Sequence, residues 1–273
     1  MRYPTVLSIA GSDSCGGAGI QADLKTMSAI GVYGCTAITA ITAQNTTGVR
    51  SVQGVDPSVL KDQIEMVFED LTIDAVKSGM LYNKSSVKVI AEALLKYKPK
   101  HYVLDPVMIS TSGSKLMEDD AIESVKEMLF PLATIITPNL LEAEALSGMP
   151  VRKVEDMQAA AEKLLQLGCK AVLIKGGHLE GDESVDMLFE KGKEGIGVRS
   201  PFVKTKNTHG TGCTLSSAIA SYLAMGEDLK SAFMSAKDYI IHALYGGQEM
   251  EIGHGHGPVD HFFMLPQAKF KDQ

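Results

Sequence analysis

Apolar, β-branched runs alternate with helix-period segments along most of this chain. "TVLSIA" precedes a helical pattern from Ile20 to Ile30, "TAITAITA" precedes one from Pro57 to Asp70, and "YVLDPVMI" precedes one from Met117 to Phe130. "ATIITP" is followed by a helical stretch near Leu140 to Ser147, and the helical pattern of Val154 to Leu167 leads into "KAVLIKGG". Short apolar strands separated by amphipathic helices are the signature of βαβ crossovers, so the pattern predicts an α/β fold with a mainly parallel sheet. Between Ser184 and Val203 the rhythm changes: "SVDMLFE" and "GIGVRSPFV", joined by the polar "KGKE", predict an antiparallel hairpin at the sheet edge. No fixed-period repeat or proline-rich linker divides the chain, which is read as one domain over residues 1–273.

A further helix is expected where Leu215, Ile219, Tyr222 and Leu223 recur at helical spacing, ending near Gly226. The segment "HGTGC", His209 to Cys213, then lies at its N-terminus. Backbone N–H groups there lack intrahelical partners, the helix dipole is positive, and glycines let an anion come close to the main chain. A helix-capping loop with a buried cysteine is the alternative. A second glycine-rich segment, "AGSDSCGGAG", follows the first strand. Neither fits GxxxxGK[ST], and "GTGCTL" does not fit GxGxxG because Leu215 stands where the third glycine would be, so P-loop and dinucleotide-binding readings drop out.

Charge and composition narrow the ligand. The 273 residues carry a formal net charge of −7, with 45% hydrophobic and 22% charged residues, values of a folded globular protein without the basic face of a nucleic-acid binder. The N-terminal "MRYPTVLSIAGSD" has too short an apolar run for a signal peptide or membrane span, so no membrane partner and a cytoplasmic location are expected. Four cysteines, Cys15, Cys35, Cys169 and Cys213, form no CxxC pair and indicate neither a zinc ribbon nor a disulfide framework. The histidine-rich "GHGHGPVDH" near the C-terminus is read as an exposed loop, with metal binding as its alternative.

In open α/β sheets ligands bind beyond the carboxyl ends of the strands. Here Asp105 ends "YVLD", Asn139 follows "TIITP", and Lys175 with Gly176 and Gly177 ends "AVLIKGG". Phosphoryl transfer requires anion stabilisation and a cation, so Gly210, Thr211, Gly212 and Cys213 are candidate phosphoryl holders, with Mg²⁺ near Asp105 and Glu142. Cys213, with an unperturbed pKa of about 8.5, is expected to lean toward its thiolate at a helix start and to accept a proton from a hydroxyl. Its alternative is a small buried thiol.

The segments "SIAGSDSCGGAGIQADLKT", "AQNTTGV", "SGML", "LDPVM", "ITPNLLEAEAL", "IKGGH", "NTHGTGCTLS" and "GHGHGPVDHF" stand in an order that resembles the hydroxymethylpyrimidine/phosphomethylpyrimidine kinases of thiamine biosynthesis. The resemblance implies a ribokinase-like three-layer α/β/α fold and a homodimer. It implies transfer of phosphate from ATP to 4-amino-5-hydroxymethyl-2-methylpyrimidine, giving the monophosphate and then the diphosphate. Carried over by position, "GTGC" becomes the anion hole with Cys213 as general base, and Gln44 reads the pyrimidine. Asp23, Gly11, Met80 and Val107 complete the substrate pocket, although Asp23 could instead support the helix from Ile20, and core packing would also account for Met80 and Val107. Lys175, Thr208, Lys237 and Asn139 lie near the nucleotide, Lys237 having a solvated helix face as its alternative. The polar Ser110 to Ser114 is a candidate lid. The rival readings are a pyridoxal, pyridoxine or pyridoxamine kinase, acting on another hydroxymethyl heteroaromatic ring, and a ligand-binding regulator that has kept the fold without turnover.

Overall fold

The computed structural model describes residues 1–109, 113, 116–178 and 183–265. Apart from Gly113, the candidate lid Ser110 to Ser114 lies outside the described residues. In chain order the elements are β1 (Thr5–Asp13), α1 (Gly19–Ile30), β2 (Tyr33–Asn45), β3 (Gly48–Gly54), α2 (Pro57–Asp70), β4 (Ala75–Ser78), α3 (Lys84–Tyr97), β5 (His101–Leu104) and α4 (Asp119–Met128). They continue with β6 (Ile135–Ile136), α5 (Leu140–Ser147), α6 (Val154–Gln166), β7 (Ala171–His178), β8 (Glu183–Glu190), β9 (Ile196–Pro201), α7 (Thr211–Ala224) and α8 (Leu229–Gly247).

All nine strands join one sheet in the order β3-β2-β1-β4-β5-β6-β7-β8-β9. The strands from β2 to β7 in that order run parallel, while β3 at one edge and β8 with β9 at the other are antiparallel. Successive strand residues point to opposite faces, and both faces are apolar. Leu7, Val76, Leu104, Ile136 and Val172 pack with α2 to α6, while Val6, Ala75, Val103, Ile135 and Ala171 pack with α1, α7 and α8. This produces the three-layer α/β/α arrangement expected from the sequence.

Helix starts follow local chemistry. Asp56 accepts from the Ser58 N–H with Pro57 in the first turn, Asn83 accepts from Ser86, and Asn139 forms a capping box with Glu142. Three elements were not singled out in the sequence: β3, β4 and α3. Helix α3 carries Val87, Ile90, Ala91 and Leu94 at helical spacing on its buried face. Strand β4 is only four residues, and one of them is the buried Lys77. The expected helix from Met117 starts later, at Asp119, and ends at Met128, after which Phe130–Leu132 form a 3₁₀ turn containing Pro131.

Candidate active site

From β1 the chain goes to β2 on one side and, after β3, to β4 on the other, so the strand order reverses around β1. A reversal of this kind opens a crevice at the carboxyl ends of the strands. A cavity of about 320 Å³ lies there, lined by Gly11 and Asp13 of β1, Thr42 and Gln44 of β2, Met80 after β4, Asp105 and Val107 after β5, Asn139 after β6, and Lys175 and Gly177 of β7. The α7 N-terminus, Gly210 to Cys213, closes the same cavity together with Thr208, His209 and Glu142.

Gly210 caps α7 in the left-handed region, with φ 81°, and a Cβ on it would overlap the carbonyl oxygen of Gly17. Only glycine meets both demands. The two glycine-rich loops therefore touch through their backbones, and Gly19, with φ 58°, has no room for a Cβ beside the Gly11 carbonyl. No side chain caps α7. Thr211 N–H turns back to the Thr208 carbonyl at 3.2 Å, leaving Gly212 and Cys213 as first-turn donors beside the cavity.

Cys213 differs from the sequence expectation. Burial pushes its thiol up to about 11, assisted by the negative charges of Asp23 and Asp105. The Lys77 ammonium and the Gly19 backbone N–H act in the opposite direction without overcoming burial. The helix start alone thus does not make Cys213 a thiolate; low dielectric wins.

Asp23 also departs from expectation: it does not line the cavity. It is fully buried, with both carboxylate oxygens 2.9 Å from Lys77 Nζ, and it accepts from Ser8 Oγ at 2.5 Å and Ser217 Oγ at 2.6 Å. This buried pair ties α1, β1, β4 and α7 together directly behind the cysteine turn. Burial pulls the Lys77 ammonium down, and Asp23, with Cys213 and Asp105, more than offsets it, so the lysine stays charged.

Asp105, just after β5, and Glu142, in the first turn of α5, both line the cavity, and the Lys175 ammonium acts on both carboxyls. Lys175 Nζ is 2.9 Å from Asp105 Oδ1, which also accepts from Thr137 Oγ1 at 3.0 Å. Burial would raise the Asp105 carboxyl, but Lys175 and Lys77 hold it below the usual range. Glu142 responds the other way: burial pushes it up to about 7, Lys175 offsets part of this, and Asp105 adds to it. Its Oε2 accepts from Asn139 N–H at 2.8 Å, while Asn139 Oδ1 accepts from Glu142 N–H at 2.9 Å. Asn139 and Glu142 thereby form one unit at the start of α5.

The raised Glu142 value fixes a sign. A carboxyl that ionises near 7 when folded but near 4.5 when unfolded opposes folding increasingly as pH rises between those values. In metal-free buffer with chelator, Glu142→Gln should gain stability relative to the unsubstituted protein from pH 5 to pH 8, on the order of 3 kcal/mol at the upper end. Melting temperatures of both proteins across that range check this; a difference that does not grow with pH would contradict it.

On the opposite wall, Gln44 lies within reach of Thr42 and His209, and Gly11 lets the Met80 side chain approach, since a Cβ there would meet the Met80 sulfur. Gln44, Gly11, Met80 and Val107 all line the cavity as expected. Sequence reasoning passed over Asp13 and His209. Asp13 accepts from the backbone N–H groups of Cys15, Gly17 and Ala18 and lies 2.9 Å from His209 Nε2, so it shapes the first glycine loop and pins it to the second. The signal was an aspartate inside a glycine-rich turn and a histidine beside "GTGC". The "GHGHGPVDH" run supports this wall: His256 N–H donates to the Thr46 carbonyl and His209 N–H to the Gly257 carbonyl. Among the described residues no cluster of three or more His, Cys, Asp or Glu could hold a metal.

A second cavity of about 260 Å³ adjoins the first and shares Lys175, Gly177, Thr208 and Thr211 with it. Its far wall is apolar, with Phe202, Val203, Leu215, Ile240, Ile241 and Leu244. Lys237 lines this second cavity, buried and 2.7 Å from Asp186 Oδ2, which rules out the solvated-face alternative. Among the described residues no helix is long and apolar enough to cross a membrane.

A ribokinase-like sheet whose glycine-flanked helix start joins a cavity edged by Gln44, Asp105, Glu142 and Lys175 to an apolar groove defines a small-molecule phosphotransferase. The family described as phosphomethylpyrimidine kinase matches residues 13–260, and the chain belongs to that family. The hydroxymethylpyrimidine/phosphomethylpyrimidine kinase of Rhizobium meliloti is 48% identical over 257 residues, covering 94% of this chain and 96% of that protein. The thiamine biosynthesis bifunctional protein of Geobacter sulfurreducens is 49% identical over 97% of this chain, but the chain spans only 54% of its length. A crystal structure of phosphomethylpyrimidine kinase from Clostridium difficile shares 50% identity, covering 88% of this chain and 99% of that one, with a TM-score of 0.78. A pyridoxal kinase of Bacillus subtilis, solved as an ADP complex, has a TM-score of 0.88 at 37% identity, covering 96% of this chain and 99% of that one.

Proposed function

We propose that the chain phosphorylates 4-amino-5-hydroxymethyl-2-methylpyrimidine from ATP, first to the monophosphate and then to the diphosphate. The observation that carries this reading is the pair of adjoining cavities, one edged by Gln44 and the Gly210–Cys213 turn and one edged by Lys237, which meet at Thr211, Thr208, Lys175 and Gly177. The pyrimidine ring occupies the first, against Gln44, Gly11, Met80 and Val107. The adenine occupies the second, and its phosphates run past Thr208, Lys175 and Asn139 to the helix start.

In the first step the hydroxymethyl oxygen attacks the γ-phosphorus, a new O–P bond forms, the bond to the β-phosphate oxygen breaks, and the proton passes to Cys213 in its minor thiolate form, giving the neutral thiol. Backbone N–H groups of Gly212 and Cys213 hold the transferring phosphoryl. One such preorganised donor is worth about 2.7–4 kcal/mol, against roughly 0.3–2 for the dipole. Two carboxylates without a third ligand suit Mg²⁺, which is held by one or two carboxylates plus phosphate oxygens and water. Asp105 and Glu142 would hold it, and it would neutralise charge on the β- and γ-phosphates.

Gln44 separates this from the pyridoxal reading. An amide offers an acceptor and a donor side by side, matching a ring nitrogen next to an exocyclic amine. The deciding experiment is incubation of the protein with ATP, Mg²⁺ and either the aminopyrimidine or pyridoxal, with products identified by mass. Pyrimidine mono- and diphosphate are expected; phosphate on pyridoxal alone would overturn the reading. Gln44→Met should lower kcat/KM for the pyrimidine by about tenfold to a hundredfold and for pyridoxal by far less. Equal losses would remove Gln44 as the discriminating residue. The protein is further expected to act as a homodimer, as the resemblance implies.

A further inference from the structure

The histidine-rich run near the C-terminus lies against the site in a way that explains its alternating glycines. A Cβ on Gly253, Gly255 or Gly257 would overlap Thr46 Oγ1, the Thr46 carbonyl oxygen and Asn207 Oδ1 respectively, while His254 and His256 are exposed. Gly255 N–H donates to Thr46 Oγ1 at 3.1 Å, and His256 N–H donates to the Thr46 carbonyl at 2.9 Å. At the other end the Gly257 carbonyl accepts from His209 N–H at 3.0 Å, and the buried Asn207 donates to the carbonyls of Gly247 at 2.6 Å and Met250 at 2.7 Å. This short segment thus reaches from the turn between β2 and β3 to the residues that lead into Gly210.

Gln44 needs such a support. It stands at a register shift, where β3 carries the extra residue Arg50, and a bulge aims a side chain according to how the strand end is held. Strand β3 is an edge strand paired with β2 alone, and none of its residues is buried, so apolar packing does little to hold this end of the hairpin. Polar ties hold it instead. Ser14 Oγ, in the first glycine loop, donates to the Gln44 carbonyl at 2.8 Å and accepts from Gln44 N–H at 2.9 Å. Thr46, two residues further on, is gripped through both of its oxygens by residues 253–257. It is buried and does not line the substrate cavity.

We propose that residues 253–257 form a backbone strap, and that Thr46 is the positioning residue through which it fixes the Gln44 end of the hairpin relative to the Gly210–Cys213 turn. It rests on the reading of Gln44 as the residue that contacts the ring. With the strap released, the hairpin end samples positions in which Gln44 does not meet the pyrimidine, and apparent affinity falls with the fraction of protein that is competent to bind. Saturating substrate refills the competent form, so KM carries the loss and kcat is spared. Nucleotide binding is spared as well, because neither Thr46 nor any strap residue lines the second cavity.

The test is steady-state kinetics with ATP, Mg²⁺ and 4-amino-5-hydroxymethyl-2-methylpyrimidine for Thr46→Val, Thr46→Ser, Gly255→Ala, Gln44→Ala and the double variant Gln44→Ala/Thr46→Val, each assayed well below its melting temperature. Thr46→Val keeps the side-chain shape and removes the Oγ1 acceptor. It should raise the pyrimidine KM about fivefold to tenfold, with kcat within about threefold and the ATP KM within about twofold. Thr46→Ser, which keeps the hydroxyl, should recover most of the affinity. Gly255→Ala, whose Cβ presses on the Thr46 carbonyl, should raise the pyrimidine KM at least as far. In the Gln44→Ala background the threonine change should add nothing to the pyrimidine KM. A Thr46→Val protein with a lower melting temperature but an unchanged KM would make the residue purely structural and overturn the proposal. Equal rises in both KM values, an additive double variant, or a serine variant no better than valine would do the same. If Gln44→Ala itself leaves the pyrimidine KM unchanged, the reading of Gln44 fails and the proposal falls with it. A raised KM in Gln44→Ala beside an unchanged one in Thr46→Val sinks the proposal alone. Should Thr46→Val not fold, Gly255→Ala must give the same pyrimidine-only rise in KM, and its absence is equally fatal.

Discussion

Cys213→Ala should lower the rate of the first phosphorylation by about a hundredfold to ten-thousandfold, the usual contribution of a positioned general base. The second phosphorylation should be reduced far less. An alcohol holds its proton at neutral pH and must lose it as the O–P bond forms, whereas a phosphate monoester, with a second pKa near 6, already presents an ionised oxygen. The asymmetry between the two acceptors is the signature of a base, since damage to the anion hole would slow both steps alike. Nucleotide affinity should change little, because the groove proposed to hold the adenine is lined by Leu215 and the α8 residues Ile240, Ile241 and Leu244 rather than by Cys213.

The pH profile follows from the same residue. With the thiol pushed up to about 11 by burial, the thiolate is the minor form at pH 7, and kcat for the first step should rise with pH across the neutral range. The slope of log kcat should approach one per pH unit until the value set by bound nucleotide is reached, and should vanish for the monophosphate acceptor. Single-turnover rates with each acceptor between pH 6 and 9 measure this. Equal loss in both steps for Cys213→Ala, or a flat profile with the alcohol, would remove Cys213 from the base role.

Much of this site was legible because its residues sit where sequence rules place them. Polar residues and glycines at the ends of apolar runs located the carboxyl edge of the sheet, and Asp105, Asn139, Lys175 and Gly210 to Cys213 converge there. Less legible were features that need a third dimension. Strand β4 was hidden because a lysine interrupts a four-residue run, and a lysine is read as solvated until its partner is seen. Lys77 has that partner in Asp23, 54 residues earlier, and the pairing also removed Asp23 from the substrate pocket. The Cys213 shift was mispredicted for a related reason: the helix start is a local, readable feature, while the burial that outweighs it depends on elements packed around it. Asp13 and His209 are 196 residues apart and meet only because the two glycine loops touch at Gly17 and Gly210.

Lys77→Met should be the most destabilising single change considered. Both partners of the pair are fully buried, and removing one leaves the other as an uncompensated charge, at a cost of about 3–5 kcal/mol. A fall in melting temperature on the order of 10 °C follows for a domain of this size. The double variant Lys77→Met/Asp23→Asn removes both charges while the amide oxygen can accept from one of Ser8 and Ser217 and the amide nitrogen can donate to the hydroxyl of the other, so most of the lost stability should return. Activity should not return with it. Lys77 lowers the Cys213 thiol by more than Asp23 raises it, so without the pair the thiol lies higher still and the first phosphorylation stays several-fold below the unsubstituted rate. A double variant that is both stable and fully active would make the pair purely structural. One that recovers stability and the second phosphorylation but not the first would assign Lys77 a place behind the base, where a buried cation tunes a neighbouring thiol without touching the substrate.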